Sequence, residues 1–128
     1  MNCISSIDHE AVTELVRIIL GGMCKVHYPG RRIYVWTRAR VNGSNVVLIR
    51  DVVEGFRDKG LIPIDKIDAA FKFPFVVFCD INFVDEAAAE VYMVMYFLNN
   101  YEPLGIKLRF ARGTSGWSAE DLKIVLVG

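Results

Sequence analysis

Glutamine is absent from this 128-residue sequence, and several other features are missing or scarce. There is no run of 18 or more apolar residues, so the sequence predicts no membrane-spanning helix. The opening MNCISSIDHE has no basic start followed by an apolar stretch. We therefore expect no signal peptide and an intracellular, cytoplasmic protein. Because six asparagines remain, the missing glutamine is only a faint indication of a thermophilic source.

Cysteine is scarce as well. Cys3, Cys24 and Cys79 are an odd number at wide spacings, which favours free thiols over a disulfide framework. Cys24-x-x-His27 has the spacing of half a zinc site, but the sequence has no second such pair, so we expect no metal and no other cofactor. The chain also has no Walker loop, no G-x-G-x-x-G and no G-x-S-x-G. Common signatures of nucleotide binding and of nucleophilic catalysis are therefore lacking.

No repeat, low-complexity tract or flexible linker divides the chain, and its length suits one core. The sequence thus predicts a single α+β domain over residues 1–128. Hydrophobic residues make up 53% of the chain, which is high for a small domain with a large surface-to-volume ratio. We therefore expect some apolar surface to be buried against a second copy, in a homodimer.

The charged residues are divided unevenly along the chain, although the formal net charge is zero. Between Leu15 and Arg50 there are seven basic residues and no acidic one, whereas acidic residues outnumber basic ones on both sides of this segment. Such asymmetry indicates an anionic partner. The alternative is that the two halves interleave in the fold and neutralise each other.

The first predicted element is a helix from Asp8 to about Gly21. Apolar residues recur there every three or four positions, and polar residues occupy the opposite side. Asp8 or Ser6 is a suitable N-terminal cap, and Gly21 with Gly22 is a suitable end.

The segment after residue 41 supports two predictions. Asn42-Gly43 between apolar runs is a strong hairpin signal and would make VVLIR a strand. Against this, apolar and polar residues form two complementary helical faces from 45 to 59, with Gly60 as a stop. Because the two faces agree over the whole segment, we favour a helix over 45–59.

Two β-strands are predicted in the middle of the chain. LIPI, 61–64, is restricted to the edge of a sheet, because Pro63 cannot donate a hydrogen bond to a ladder. DKIDAAFKF, 65–73, is predicted to be a short helix or a turn. The continuous apolar run over 74–81 is typical of a central strand covered on both faces.

The last part is predicted to contain a βαβ crossover. Asp85 is a suitable cap for a helix to about Asn100, since AAAEVYMVMYFL is apolar almost all round. IKLRFAR, 106–112, and DLKIVLVG, 121–128, are predicted strands on either side of the loop GTSGWS. The order of elements predicts an α+β fold: a single mixed sheet of four to five strands with about three helices packed on it.

The segment RRIYVWTRARVNG, 31–43, carries the main functional hypothesis. Taken every second residue, it separates an apolar face from a basic and aromatic one. The members of the second face are Arg32, Tyr34, Trp36, Arg38 and Arg40. Arginines that contact phosphates, beside aromatic rings that stack on bases, are typical of surfaces that bind single-stranded nucleic acid. Arg112 and Trp117, at the GTSGWS loop, are predicted to lie nearby and to join this site.

Other interpretations stay open. A helix can cover Tyr34 and Trp36, with arginine stems packed over the rings. The same face can instead be the subunit contact of a homo-oligomeric structural or protein-interaction subunit. A weaker alternative is a metal-dependent phosphoryl-transfer enzyme using Asp80 and Asp85, although each aspartate also suits a turn or a cap. We expect a binding protein rather than an enzyme, with a second copy, single-stranded nucleic acid or another protein as partner, and no membrane.

Overall fold

The computed structural model describes residues 8–26, 32–66, 74–96 and 103–126, and within these ranges eight strands form one mixed sheet. The elements, in chain order, are α1 (His9–Val26), β1 (Ile33–Trp36), β2 (Arg38–Val41), β3 (Asn45–Leu48), α2 (Arg50–Glu54), a 3-10 turn (Arg57–Lys59), β4 (Leu61–Ile64), β5 (Phe75–Asp85), β6 (Ala88–Tyr96), β7 (Leu104–Gly113) and β8 (Gly116–Leu126). The prediction of four to five strands and about three helices was therefore wrong, because the described residues contain eight strands and two α-helices.

β1 and β2 are nearly one strand, interrupted at Thr37. On one side, β1 pairs in parallel with β4, and β2 pairs antiparallel with β3. On the other side, both β1 and β2 pair in parallel with β5. Tyr34 lies opposite Phe75, and Val41 lies opposite Ile81. β5, β6, β7 and β8 then follow as antiparallel neighbours. The strand that carries the candidate site thus lies inside the sheet, one position from its edge.

Both described helices pack on the same face of the sheet. Leu15 and Val16 of α1 and Val53 of α2 are buried in one core cluster with Val35 and Phe78 of the sheet. Apolar side chains on one stripe of each helix and at alternate strand positions produce this core, because their burial removes apolar surface from water. No helix among the described residues has the length and apolarity needed to cross a lipid bilayer.

α1 begins as the sequence predicts and ends later. The Ala11 amide donates a hydrogen bond to Asp8 Oδ1 at 3.1 Å, which confirms the predicted cap. The helix then continues through Gly21 and Gly22 to Val26, so its predicted end was wrong. Neither glycine has the positive φ of a left-handed cap, and glycine at a helical φ lowers helix propensity without ending the helix.

The predicted helix over 45–59 was wrong in its first half. Asn42 and Gly43 have φ values of 51° and 87°, and they form the turn of a hairpin between β2 and β3. Only Arg50–Glu54 is α-helical, followed by the short 3-10 turn. Val53 is buried, as the predicted helical face requires. The same spacing of apolar residues continues by coincidence into β3, where Asn42 and Gly43 favour the positive φ values of a hairpin turn.

The predicted helix from Asp85 to Asn100 was also wrong, as far as the structure describes it. Residues 86 and 87 form a turn, and β6 runs antiparallel to both β5 and β7. A segment that is apolar on every side suits a strand inside a sheet as well as a buried helix, and periodicity alone cannot separate the two. The βαβ crossover predicted to follow residue 81 is therefore wrong too, and the chain makes antiparallel hairpins instead.

The remaining predicted strands are confirmed. β4 is an edge strand that contains Pro63, and β5 is central, although the described helices cover only one of its faces. β7 and β8 include the segments predicted at the end of the chain as far as residue 126, and residues 127 and 128 lie outside the described residues. The predicted loop GTSGWS is shorter than expected, since only residues 114 and 115 form a turn. The helix or turn predicted over 65–73 lies mostly outside the described residues, as do Cys3 and His27.

Candidate functional site

The alternation predicted for residues 33–41 is confirmed on its buried side. Ile33, Val35, Thr37, Ala39 and Val41 are all buried, and the four apolar ones among them belong to the core under the helices. Because successive strand residues point to opposite faces, the intervening residues lie on the other side of the sheet.

That other side carries aromatic rings from three adjacent strands. Tyr34 of β1 lies opposite Phe75 of β5, and Phe75 lies opposite Tyr96 of β6, so the three rings share one face. We call this surface the aromatic face and define it by Tyr34, Trp36, Arg38, Arg40, Phe75, Tyr92 and Tyr96. The aromatic residues are half-buried, and both arginines are exposed.

The two described helices do not lie over the aromatic face, because both belong to the core on the opposite side of the sheet. Neither α1 nor α2 therefore provides the helical cover that one interpretation of Tyr34 and Trp36 requires. Arginine packing over a ring is nevertheless present: Arg38 Cζ lies 6.0 Å from the centroid of the Trp36 ring, within the range of a cation–π contact.

Burial affects two ionisable groups on and beside the aromatic face, the Tyr96 hydroxyl and the Cys79 thiol. Phe75 and Tyr96 stack with ring centroids 4.7 Å apart and an interplanar angle of 13°. Burial raises the pKa of the Tyr96 hydroxyl above its usual 10.0, and Cys79 and Tyr92 act in the same direction. Burial also raises the pKa of the Cys79 thiol, against the opposing effect of Arg40. The face is not purely basic, because Asp80 lies opposite Tyr92, and both Asp80 and Arg40 act on the Cys79 thiol.

Arg38 and Arg40 are exposed, although Asp65 interacts electrostatically with Arg38. Within the part of the chain that the structure describes, Arg38 and Arg40 form no ion pair, and Lys107 is exposed opposite Tyr92. Elsewhere the charges do interleave, as at Arg50, whose guanidinium lies 2.6 Å from Asp65 Oδ2. Arg38 and Arg40 are thus less closely paired with acidic groups than Arg50 is, although Asp65 and Asp80 lie in their vicinity.

Arg32 is also exposed, immediately before β1. Arg112 and Trp117, by contrast, lie opposite each other on the helix-covered side of the sheet. Trp117 is only 7% exposed and makes an edge contact with Phe83. The Arg112 Cζ lies 5.8 Å from the centroid of the Trp117 ring. The structure therefore does not bring this pair to the aromatic face, because the indole is packed into the core.

The two aspartates of the enzyme hypothesis are far apart. Asp80 and Asp85 lie five residues apart on β5, which corresponds to roughly 15 Å along a strand. Asp80 Oδ1 accepts a hydrogen bond from the Gly43 amide at 3.4 Å, and Asp85 Oδ1 accepts one from the Ala87 amide at 2.7 Å. Both thus stabilise turns, and among the described residues no group of three or more His, Cys, Asp or Glu side chains is placed to hold a metal ion.

Sequence reasoning missed three rings of the aromatic face and the basic residue beside them. Tyr92 and Tyr96 were assigned to a helix, so their place opposite β5 and β7 was not anticipated. The available signal was the enrichment of β-branched and aromatic residues in VYMVMYF, which favours a strand. Phe75 and Lys107 were correctly placed on strands, but their neighbours across the sheet depend on strand order.

Comparisons of the chain with protein-family models, with curated proteins and with solved structures found no match. The chemistry of the aromatic face is therefore the main indication of function. Its distinguishing features are aligned rings, exposed arginines and the position of both described helices on the other side of the sheet.

Proposed function

We propose that the protein is a non-enzymatic binding domain that holds single-stranded nucleic acid on the aromatic face. One observation carries the proposal: half-buried rings from adjacent strands lie beside Arg38 and Arg40, which are exposed and form no ion pair with a described residue. Rings supply stacking plates for bases, and arginines supply contacts to phosphates.

The spacing of the sheet suits this role. Neighbouring strands are about 4.8 Å apart, and residues two apart on one strand are about 6 to 7 Å apart, so rings and guanidinium groups form a closely spaced array. Each base stacked on an aromatic side chain contributes about 1 to 3 kcal/mol. Each phosphate neutralised by an arginine releases counterions and makes binding weaker as salt increases.

A single strand fits the site better than a duplex. Reading duplex DNA in the major groove usually requires a projecting helix or a two-stranded ribbon. α2 has only five residues, packs into the core and carries Asp51 and Glu54, which repel phosphate. The aromatic face instead presents half-buried rings, and these can stack only on bases that are not already paired inside a duplex.

The test is a fluorescence anisotropy titration of labelled single-stranded and duplex oligonucleotides at low and moderate salt. We expect tighter binding of the single strand and a steep loss of affinity with salt. Trp36→Ala should raise the Kd about 5- to 150-fold, which corresponds to one lost stacking contact of about 1 to 3 kcal/mol. Arg38→Ala and Arg40→Ala should each reduce the salt slope by about one unit.

The matched control is Arg17→Ala, which removes an exposed arginine of α1 on the opposite side of the sheet. It should leave affinity and salt slope nearly unchanged. Trp117→Phe removes the buried indole, so that a change in tryptophan emission on binding reports on Trp36. An absence of binding at low salt, or equal losses from Arg17→Ala and Arg38→Ala, would contradict the proposal.

The second candidate function is a homo-oligomeric subunit in which the aromatic face is the contact between copies. Its support is the residue chemistry, since Trp, Tyr and Arg are the side chains enriched at the centres of interfaces. In that case Trp36→Ala changes the sedimentation coefficient of the protein, and oligonucleotides do not bind. The two hypotheses are thus separated by one variant and two measurements.

A further inference from the structure

β3 forms part of an edge of the sheet, and within the described ranges it pairs with β2 alone. Its residues Val46 and Leu48 are 59% and 71% exposed, and they are two of the four large hydrophobic side chains that the described structure leaves exposed. Both lie on the same face, opposite Arg40 and Arg38 respectively. The exposed edge is thus apolar as well as open.

The register of β3 determines which backbone groups point outward. The Ile49 amide donates a hydrogen bond to the Thr37 carbonyl at 2.8 Å. Hydrogen-bonded and non-hydrogen-bonded pairs alternate in an antiparallel ladder. The backbone N–H and C=O groups of Val47, two residues before Ile49, are therefore also directed toward β2. The N–H and C=O groups of Val46 and Leu48 are therefore directed away from β2, where another strand can pair with them.

The other edges of the sheet carry features that prevent such pairing. β4 contains Pro63, which has no amide hydrogen. β8 carries the exposed acids Glu120 and Asp121, and its ladder with β7 has a register shift. β3 has no charged residue, no proline and a regular register. Proteins usually protect edge strands with such devices, so their absence from one edge alone indicates that this edge has a partner.

We infer that β3 pairs antiparallel with β3 of a second copy of the chain, about a two-fold axis at Val47. In this register Val46 lies opposite the partner's Leu48, and Leu48 lies opposite the partner's Val46. The outward N–H and C=O groups of the two residues then form four backbone hydrogen bonds between the copies. The contact is self-complementary, as a two-fold interface requires, and it buries the two exposed apolar side chains of each copy against each other.

Electrostatics permits this pairing. β3 has no ionised side chain, so no like charges lie opposite each other in it. Arg40 and the partner's Arg38 are separated by three strand spacings, about 14 Å, which exceeds the screening length of about 8 Å at physiological salt. Because the other edges are protected, the pairing produces a closed dimer and not a growing fibre.

The interface is small, and this determines the expected behaviour. Four strand residues bury far less than the roughly 800 Å² per partner of a stable complex, so the dimer should dissociate on dilution. Pairing at this edge places the two aromatic faces side by side on one continuous sheet. The inference does not depend on nucleic-acid binding, and its test contains no nucleic acid.

The experiment is analytical ultracentrifugation over a wide concentration range. For the wild-type protein, the weight-average mass should rise toward twice that of one chain. The double substitution Val46→Glu with Leu48→Glu places carboxylates opposite each other across the proposed interface, and it should raise the dimer Kd about tenfold or more. Val46→Glu with Leu48→Lys places opposite charges there and should restore dimerisation.

Val84→Glu is the matched control, since Val84 is also exposed, at 56%, but lies on β5. It should leave the dimer Kd unchanged. Circular dichroism checks that each variant folds. A second measurement needs no variant: in the wild-type protein, hydrogen-exchange protection of the Val46 and Leu48 amides should increase with concentration, while that of the Val47 amide should not.

Three results would overturn the inference. The first is a wild-type protein that stays monomeric at the highest concentration, with amide protection at Val46 and Leu48 independent of concentration. The second is an equal loss of dimer for the two double variants, which excludes the register. The third is a dimer that survives Val46→Glu with Leu48→Glu but is lost in Trp36→Ala, which assigns the contact to the aromatic face.

Discussion

Thr37 lies where the strand formed by β1 and β2 changes its partner from β4 to β3. Its amide donates to the Ile64 carbonyl at 3.2 Å, and its carbonyl accepts from the Ile49 amide at 2.8 Å. Its hydroxyl, in a residue only 1% exposed, donates to Asp65 Oδ1 at 2.6 Å. The backbone of Thr37 thus bonds to the segments on both sides, β4 and the end of β3, and its buried hydroxyl has a carboxylate partner. This explains why a threonine stands among the apolar buried residues at 33, 35, 39 and 41.

The hydroxyl of Thr37 should control the ionisation of Asp65. The pKa of Asp65 is lowered from 3.8, first by the hydrogen bond from Thr37 and also by Arg50 and Arg38, while partial burial opposes these effects. A lowered pKa in the folded state means that this carboxylate stabilises the protein above pH 3.8 and that the contribution is lost as pH falls through the folded value. Thr37→Val should therefore raise the pKa of Asp65 and lower the midpoint of urea unfolding at pH 7.

An NMR titration of the Asp65 carboxyl measures the first effect, and urea unfolding at pH 7 and at low pH measures the second. The difference in unfolding midpoint should shrink as Asp65 becomes protonated. Thr37→Ser is the control, since it keeps the hydroxyl and should leave the pKa near its wild-type value. An unchanged pKa in Thr37→Val would show that the arginines, Arg50 and Arg38, determine it without the hydroxyl.

At the scale of elements, local signals for caps and turns were right at Asp8 and Asn42-Gly43 but wrong at Gly21-Gly22 and Asp85. Asp8 caps α1, and Asn42-Gly43 forms the hairpin turn, because both depend on side-chain and backbone preferences of a few neighbouring residues. They failed for β6, because its apolar residues on both faces suit a buried helix equally well. Which structure forms there depends on whether β5 and β7 are available as partners.

The packing of α1 against the hairpin of β7 and β8 depends on Gly116. This residue has a φ of 108°, and a Cβ at its position would lie 2.7 Å from Glu14 Oε2. The same Glu14 oxygen accepts a hydrogen bond from the Trp117 amide at 2.9 Å. Gly116→Ala should therefore destabilise the protein by about 1 to 3 kcal/mol, from strain at positive φ and displacement of Glu14. Urea unfolding measures this free energy.

Gly113→Ala is a matched control in the same hairpin, since a Cβ there meets no atom within 4 Å and its φ is not positive. It should leave the free energy of unfolding nearly unchanged. Repeating Gly116→Ala in a Glu14→Ala background separates the two causes, because only the contact with Glu14 disappears there. An equal cost in both backgrounds would assign the whole effect to backbone strain.

At the scale of the whole molecule, the two tryptophans lie on opposite sides of one sheet. Trp117 belongs to the core under the helices, and Trp36 lies on the aromatic face. If residues 1–128 form a single domain, both sides should unfold together. We predict that the single-tryptophan variants Trp36→Phe and Trp117→Phe each give one fluorescence transition in urea, coincident with the transition of that variant followed by circular dichroism.

The comparison is made within each variant, because either substitution can shift stability by itself. A fluorescence midpoint that precedes the circular dichroism midpoint in Trp117→Phe would show that the aromatic face opens before the core. The single-domain prediction would then be wrong.

The sequence by itself determined the features that depend on neighbouring residues. It predicted the cap of α1, the edge position of the Pro63 strand and the two faces of residues 33–41, because hydrogen bonding, backbone restriction and alternation act locally. Only the tertiary structure decided that β6 is a strand and that Trp117 faces the core. It also decided that Tyr34, Phe75 and Tyr96 lie on one face of neighbouring strands, because pairing between distant segments depends on strand order, which periodicity does not encode.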